Sequence, residues 1–393
     1  MAEPSAESLY LFRHALVRDA AYELQPPTDR AWLHGIAVDA IEDMCGGPPA
    51  ADARRWSPRP QPHPTDAYLS NLVEHATLAP DSVEMRRKAA LYLYRAGSLE
   101  IAGYRLAAAT QILRRLVQHP GADDYLRARA HFQLGEILYR LGDLVPAETE
   151  YEAAQRLVDP AVDPDGDVVL RSCRTVVASH TENGPQVAAM HREAADYWRG
   201  RGDLRKMLGS LINFAVWHCE AGDQQVAMET LHEVVELGRR QDLPLAVSAG
   251  VGIIALLHDR NGRFAEAEAG LKDAIEAARE GGDPVREVGW LINLAEICRE
   301  TGRLDEATER LREAGRVCAR FGLDARQDHA DANLAGVLVQ QGDYPQARTI
   351  WNDAWKKLAK RADPYGMTVV RNMMNDALKR AGKPPLPETG VLP

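Results

Sequence analysis

The sequence predicts an all-α fold, a right-handed superhelical solenoid of helical hairpins with a period of about 40 residues. Three observations predict it. A glycine followed by a turn residue recurs at Gly142-Asp143, Gly222-Asp223, Gly262-Arg263, Gly302-Arg303 and Gly342-Asp343, at intervals of 40 with one of 80. Gly103, Gly184 and Gly382 extend the series. Five residues after successive glycines stands an alanine (Ala108, Ala147, Ala189, Ala227, Ala267, Ala307, Ala347), and nine before four of them stands an amide (Gln133, Asn213, Asn293, Asn333). A second series of helix breakers runs out of phase with the first, at His119-Pro120-Gly121, Asp159-Pro160, Gly200 to Gly202, Leu243-Pro244, Gly281 to Pro284, Gly322 and Asp363-Pro364. Each repeat therefore reads as first helix, glycine turn, second helix and loop, with helices of about 18 and 16 residues.

In chain order, residues 1–45 form a helical junction segment with helices from Leu9 to Leu24 and Thr28 to Met44, parted by Pro26-Pro27. Residues 46–66 hold Pro48, Pro49, Pro58, Pro60, Pro62 and Pro64, which no helix accommodates, and read as an extended or disordered linker or loop. Residues 67–362 are the hairpins. Asp283-Pro284 supplies a capping residue and a proline at the first helical position. Trp290, Leu291, Leu294 and Ile297 share one helical face, as do Ala307, Leu311, Ala314 and Val317. The small residue after each turn lets the second helix approach the first, and a hairpin that cannot bury its own apolar faces buries them against the next. Residues 363–382 read as a lone C-terminal capping helix, and residues 383–393 as a disordered tail. That tail contains Leu386-Pro387-Glu388-Thr389-Gly390, a formal LPxTG match. A sorting signal needs an apolar span and a basic tail after it, so the match reads as coincidence.

Composition narrows the function. Of 393 residues only 6% are aromatic, and alanine and leucine dominate, which favours helix over a β sandwich. The net charge of −10 gives no bulk pull toward nucleic acid or an anionic membrane. Cys45, Cys173, Cys219, Cys298 and Cys318 are odd in number and scattered, without a CxxC, which argues against a disulfide framework or structural zinc and fits a reducing, cytoplasmic compartment. Met1 to Ser8 is polar and acidic, unlike a signal peptide, and the longest apolar run, Ala249 to Leu257, is too short to span a bilayer.

The stretches Asn293-Leu294-Ala295 to Gly302, and Gln133-Leu134-Gly135 to Gly142-Asp143-Leu144, resemble the tetratricopeptide repeat family. The resemblance covers residues 88 to 382 and implies a solenoid that binds other proteins. The period here is longer than the family's commonest repeat. The string Phe12-Arg13-His14-Ala15-Leu16-Val17-Arg18-Asp19-Ala20-Ala21-Tyr22, with Arg30, Leu33-His34 and Ala40-Ile41-Glu42, is similar to the junction that precedes the helical sensor of bacterial multidomain signal-transduction ATPases of the NB-ARC-like (STAND) class. Leu72-Val73-Glu74-His75-Ala76, Arg87-Lys88-Ala89-Ala90 and Ala96-Gly97 continue that likeness. No GxxxxGK[ST] loop is present, so the resemblance carries no ATPase chemistry. The chain reads either as the sensor part of a larger regulator or as a free-standing descendant.

If the familiar geometry holds, the first helices line a concave groove. Counting back from each glycine places Arg129, Phe132, Glu136, Tyr139, Arg140, Arg171, Arg174, Ile212, Val216, Leu256, Arg260, Ile292, Glu296 and Arg299 along it. Guanidinium groups grip carboxylates at two points, so Arg129, Arg140, Arg171 and Arg174 are candidates to receive an acidic segment of a partner. The amide ladder reads as structural. His218, His258 and Cys298 share one register, but equivalent positions of stacked hairpins lie about 8–10 Å apart, too far to converge on one zinc ion. His14 and His34 read as helix-packing histidines. No GxSxG, HExxH or Rossmann glycine pattern occurs. The expected function is thus a non-catalytic interaction or sensor module that binds a protein or peptide and regulates a coupled effector, without cofactor or metal. The alternative is the small-molecule inducer-sensing domain of a transcription regulator.

Overall fold

The protein is described here by a computed structural model covering residues 22–49, 56, 61–103, 105–179, 184–360 and 364–392. The expected helix from Leu9 up to Ala21, with the Phe12 to Ala21 string and His14, lies outside these residues. Among the described residues every regular element is helical. The order is α1 (Pro27–Met44), a 3-10 helix (Pro64–Tyr68), α2 (Leu69–Leu78), α3 (Val83–Ala102), α4 (Leu106–Val117), α5 (Asp124–Leu141), α6 (Leu144–Arg156), α7 (Pro164–Ser179), α8 (Pro185–Arg201), α9 (Leu204–Ala221), α10 (Gln224–Arg240), α11 (Pro244–Arg260), α12 (Phe264–Glu280), α13 (Pro284–Glu300), α14 (Leu304–Phe321), α15 (Asp324–Gln341), α16 (Tyr344–Lys360) and α17 (Pro364–Arg380). The odd-numbered helices from α3 to α15 are the first helices of hairpins, and α17 stands alone.

The turn glycines work through backbone geometry. Gly142, Gly222, Gly262, Gly302 and Gly342 have φ between 71° and 88°, the left-handed region that side chains disfavour. The next residue's N–H then bonds back to the first helix: Asp143 to the Leu138 carbonyl at 2.9 Å, Asp223 to His218 at 2.9 Å, Arg263 to His258 at 2.9 Å, Arg303 to Cys298 at 2.8 Å. Asp223 and Asp343 also cap the second helix, accepting from Val226 N and Gln346 N. Ala147, Ala227, Ala267, Ala307 and Ala347 are wholly buried, as the close approach of paired helices requires. Two repeats depart from the series. Gly184 has φ −94° and begins α8 rather than ending a helix, and Ala189 is exposed. Gly103 has φ −85°, and Ala109 rather than Ala108 is the wholly buried alanine of α4.

The chain divides into two compact units, Met1–Leu134 with Ala153–Gly166, and Gly135–Glu152 with Asp167–Pro393. In the first, Val38, Leu69, Leu72, Ala76, Ala89 and Tyr92 form a core. Tyr92 donates to Glu42 at 2.5 Å, and Lys88 bonds Glu42 and Asp39 at 2.8 and 2.9 Å. Described residues of the proline-rich stretch are held within this unit. Trp56 is 2% exposed, donates to Asp163 at 2.7 Å and meets Phe132 edge-on. His63 caps the 3-10 helix, and buried Arg95 holds Asp66 and the Gln61 carbonyl.

In the second unit α10, α12, α14 and α16 each pack on their own first helix, and α8, α10, α12 and α14 pack on the first helix that follows. First helices also touch one another, α9 on α11, α13 on α15 and α15 on α17. The core at the C-terminal end centres on Trp351, Trp355, Leu338 and Met374, the two indoles stacked at 5.5 Å. The expectation of a disordered tail is corrected here. Leu386 and Leu392 are 6% and 4% exposed, and side chains of α16 and α17 hydrogen-bond the tail backbone. The lone helix α17 packs on α15 and α16, and the tail's two leucines join the core that these helices form.

Candidate functional site: the faces of the first helices

Two expected groove residues, Arg129 and Phe132, lie in the first unit and are buried. Arg129 is 2% exposed, with its guanidinium 4.6 Å from the Tyr94 ring and 5.6 Å from the Tyr125 ring. Phe132 packs against Trp56. The register count placed both on a groove wall. Trp56 and the aromatic pair around Arg129 bury them instead, a correction that no spacing within the repeats could have signalled. Gln133 is buried too and donates to Ser98 at 2.7 Å.

In the second unit Glu136, Tyr139 and Arg140 are half-buried. Glu136 accepts from Tyr151 at 2.7 Å and faces the Cys173 thiol at 3.7 Å. Burial first, then the Glu136 charge, raises the pKa of Cys173 and of Tyr139, so both stay protonated at neutral pH. Arg140 lies 3.9 Å from Glu136. Arg171 is paired with Asp167 at 2.8 Å, and Arg174 with Glu148 and Glu152 at 2.6 and 3.1 Å. The expected carboxylate-gripping arginines are thus already engaged by the chain's own carboxylates. A cleft between α7 and α8 is lined by Arg171, Ser172, Thr175, Met190, Glu193 and Tyr197.

Farther along, Ile212, Val216, Leu256 and Ile292 are half-buried on α9, α11 and α13, and Arg260 is exposed. Glu296 is half-buried, but Arg299 is 4% exposed. Arg299 binds Glu296 in two-point fashion and reaches Asp376 of α17 at 3.0 Å. Burial alone would lower the Arg299 pKa, but these carboxylates outweigh it and the net shift is upward. Arg299 is therefore a structural latch rather than a groove cation, which corrects its expected placement. Asp376 was missed, yet its register could have flagged it: Glu296, Gly336 and Asp376 each stand six residues before a series glycine. Asp259 and Glu300 complete the cluster. Burial and then the neighbouring Glu296 raise both their pKa values.

His218, His258 and Cys298 are the residues whose carbonyls close the turns. Among the described residues no group of three or more His, Cys, Asp or Glu gathers as a metal site. Nor is any described helix long and apolar enough to cross a membrane.

Residues 254–316, from α11 to α14, match the tetratricopeptide repeat family model. Over these residues the repeats are tetratricopeptide-like. A second match, over residues 185–243, is to anaphase-promoting complex subunit 5. No curated protein matches the chain in sequence. Among solved structures, tetratricopeptide-like folds recur. A Rap protein complexed with competence and sporulation factor aligns at TM-score 0.56 and 12% identity, over 91% of this chain and 99% of that one. NprR in complex with its cognate peptide NprX aligns at TM-score 0.58 and 11% identity, over 78% of this chain and 87% of that one. A signal-transduction ATPase with numerous domains and a tetratricopeptide repeat sensor, from Pyrococcus horikoshii, aligns at TM-score 0.47 and 12% identity, over 81% of this chain and 50% of that one.

Proposed function

We propose that this chain is a non-catalytic regulatory module that binds a peptide or protein segment along the first helices of its second unit, and acts on a coupled effector in the bacterial cytoplasm. The observation that carries the reading is the row of half-buried apolar side chains, Ile212, Val216, Leu256 and Ile292, on three successive first helices. Full burial would mark them as core and full exposure would cost solubility. Partial burial beside the exposed Arg260 suits a surface that a peptide completes. The fold it shares with Rap and NprR, each solved with a bound factor or peptide, supports the same reading.

An acidic partner segment remains part of the proposal at Arg171 and Arg174, where it would exchange with Asp167, Glu148 and Glu152. Such exchange gains little, because exposed pairs are worth about 0–1 kcal/mol each. Apolar contact along α9, α11 and α13 therefore supplies most of the affinity. The cleft between α7 and α8 favours a second reading, a small polar effector held by Arg171, Ser172 and Thr175.

The test is selection of peptides from a random library on the purified chain, followed by affinity measurements on the variants Leu256→Glu and Ile292→Glu. The reading expects a loss of at least tenfold in affinity with a melting temperature within a few degrees of wild type. Peptides that bind both variants as tightly as the wild type would refute it.

A further inference from the structure

The segment after Gly382 is held in an unusual way. Five side chains of α16 and α17 grip its backbone rather than its side chains. The Trp351 and Trp355 indoles donate to the carbonyls of Gly390 at 2.8 Å and Thr389 at 3.1 Å. Asn352 pairs with both backbone groups of Leu392, donating to its carbonyl at 3.1 Å and accepting from its N–H at 2.8 Å. Arg371 donates to the carbonyls of Pro387 and Glu388, and Asn375 accepts from Leu386 N at 2.8 Å. Among the described residues of the segment two side chains are buried, Leu386 and Leu392, while Pro387, Glu388, Thr389 and Val391 face outward. Gly390 has φ +73°, and a Cβ built on it would stand 2.2 Å from Trp355.

We propose that this face of α16 and α17 is a peptide-binding site whose resident ligand is the chain's own C-terminal segment. Its ligand class is a peptide of pattern Leu-x-x-x-Gly-x-Leu. An amide side chain that pairs both backbone groups of one residue, with indole and guanidinium donors on consecutive carbonyls, reads any peptide in this conformation. Specificity comes from the two leucine pockets and from the glycine that lies flat on Trp355. The outward residues are free to vary. The LPxTG match is thereby accounted for: its leucine and glycine are the anchoring residues of this site. This site lies on different elements from the apolar row of α9, α11 and α13, so the two proposals fail independently.

Two measurements test it. In the full chain, Leu386→Asp with Leu392→Asp releases the tail and leaves every receptor side chain in place. A fluorescent synthetic peptide of residues 383–393 then binds this variant saturably. Adding Asn352→Ala to the variant, or Gly390→Ala to the peptide, weakens binding at least tenfold, while Glu388→Lys and Val391→Ser in the peptide change it less than threefold. Absence of saturable binding, or equal binding of the Gly390→Ala peptide, overturns the proposal. The second measurement uses the wild-type chain, so it does not depend on the variant folding. A bound ligand leaves without global unfolding, so the amides of Leu386 and Leu392 exchange at least tenfold faster than that of Trp351, yet slower than free peptide. Exchange at the Trp351 rate means that the segment is an integral part of the fold, and exchange at the free-peptide rate means that it is not bound. Either result overturns the proposal.

Discussion

His191 on α8 shows how one residue can govern acid stability. It is 2% exposed, and its Nδ1 has no hydrogen-bond partner. Burial lowers its pKa from 6.5 to about 4, so the fold holds the neutral ring. His34 is lowered as well, by burial and then by His75, whose Nδ1 lies 2.8 Å from its own. A histidine held neutral binds its proton more readily in the unfolded chain. Its stabilising share is therefore complete above about pH 6.5 and is lost as pH falls toward the folded-state value. For His191 that share is on the order of 3 kcal/mol between pH 7.5 and pH 4. Urea unfolding at these two pH values should show a smaller loss of stability in His191→Gln than in wild type, by about that amount. An unchanged pH dependence would mean that the ring is not held neutral. His34 was legible in the sequence as a packing histidine. His191 was not, because it carries no motif and its burial depends on how α8 packs.

Glycines separate local from tertiary information at the scale of the helix. Gly262 and Gly209 both have open space where a Cβ would stand, but only Gly262 lies at positive φ. Gly262→Ala should therefore destabilise the chain by about 1–2 kcal/mol through backbone strain alone. Gly209→Ala, inside α9, should stabilise it by about 0.4–1 kcal/mol. Chemical denaturation checks both, and shifts of the same sign would contradict the assignment of the turns. The hairpins were legible for this reason: a left-handed turn demands glycine locally, whatever surrounds it. Local reasoning failed where long-range contact decides. Gly184 fell near the expected position but starts a helix. Trp56 of the proline-rich stretch is held by Asp163, 107 residues away, and the tail by Asn352, 40 residues from Leu392.

Across the described residues, counting along the repeat placed candidate residues on first helices but could not supply their neighbours. Arg299 meets Asp376 from 77 residues away, and Arg129 lies under Tyr94. The apolar row on α9, α11 and α13 keeps partly accessible faces among the described residues. The claim that these faces receive a peptide is tested most directly by a photo-reactive benzoylphenylalanine placed at Leu256, with a matched probe at Glu309 on the exposed side of α14, each irradiated with a selected peptide bound. The account predicts peptide cross-linked from position 256 and none from position 309. Equal cross-linking from both positions, or cross-linking from position 309 alone, would contradict it.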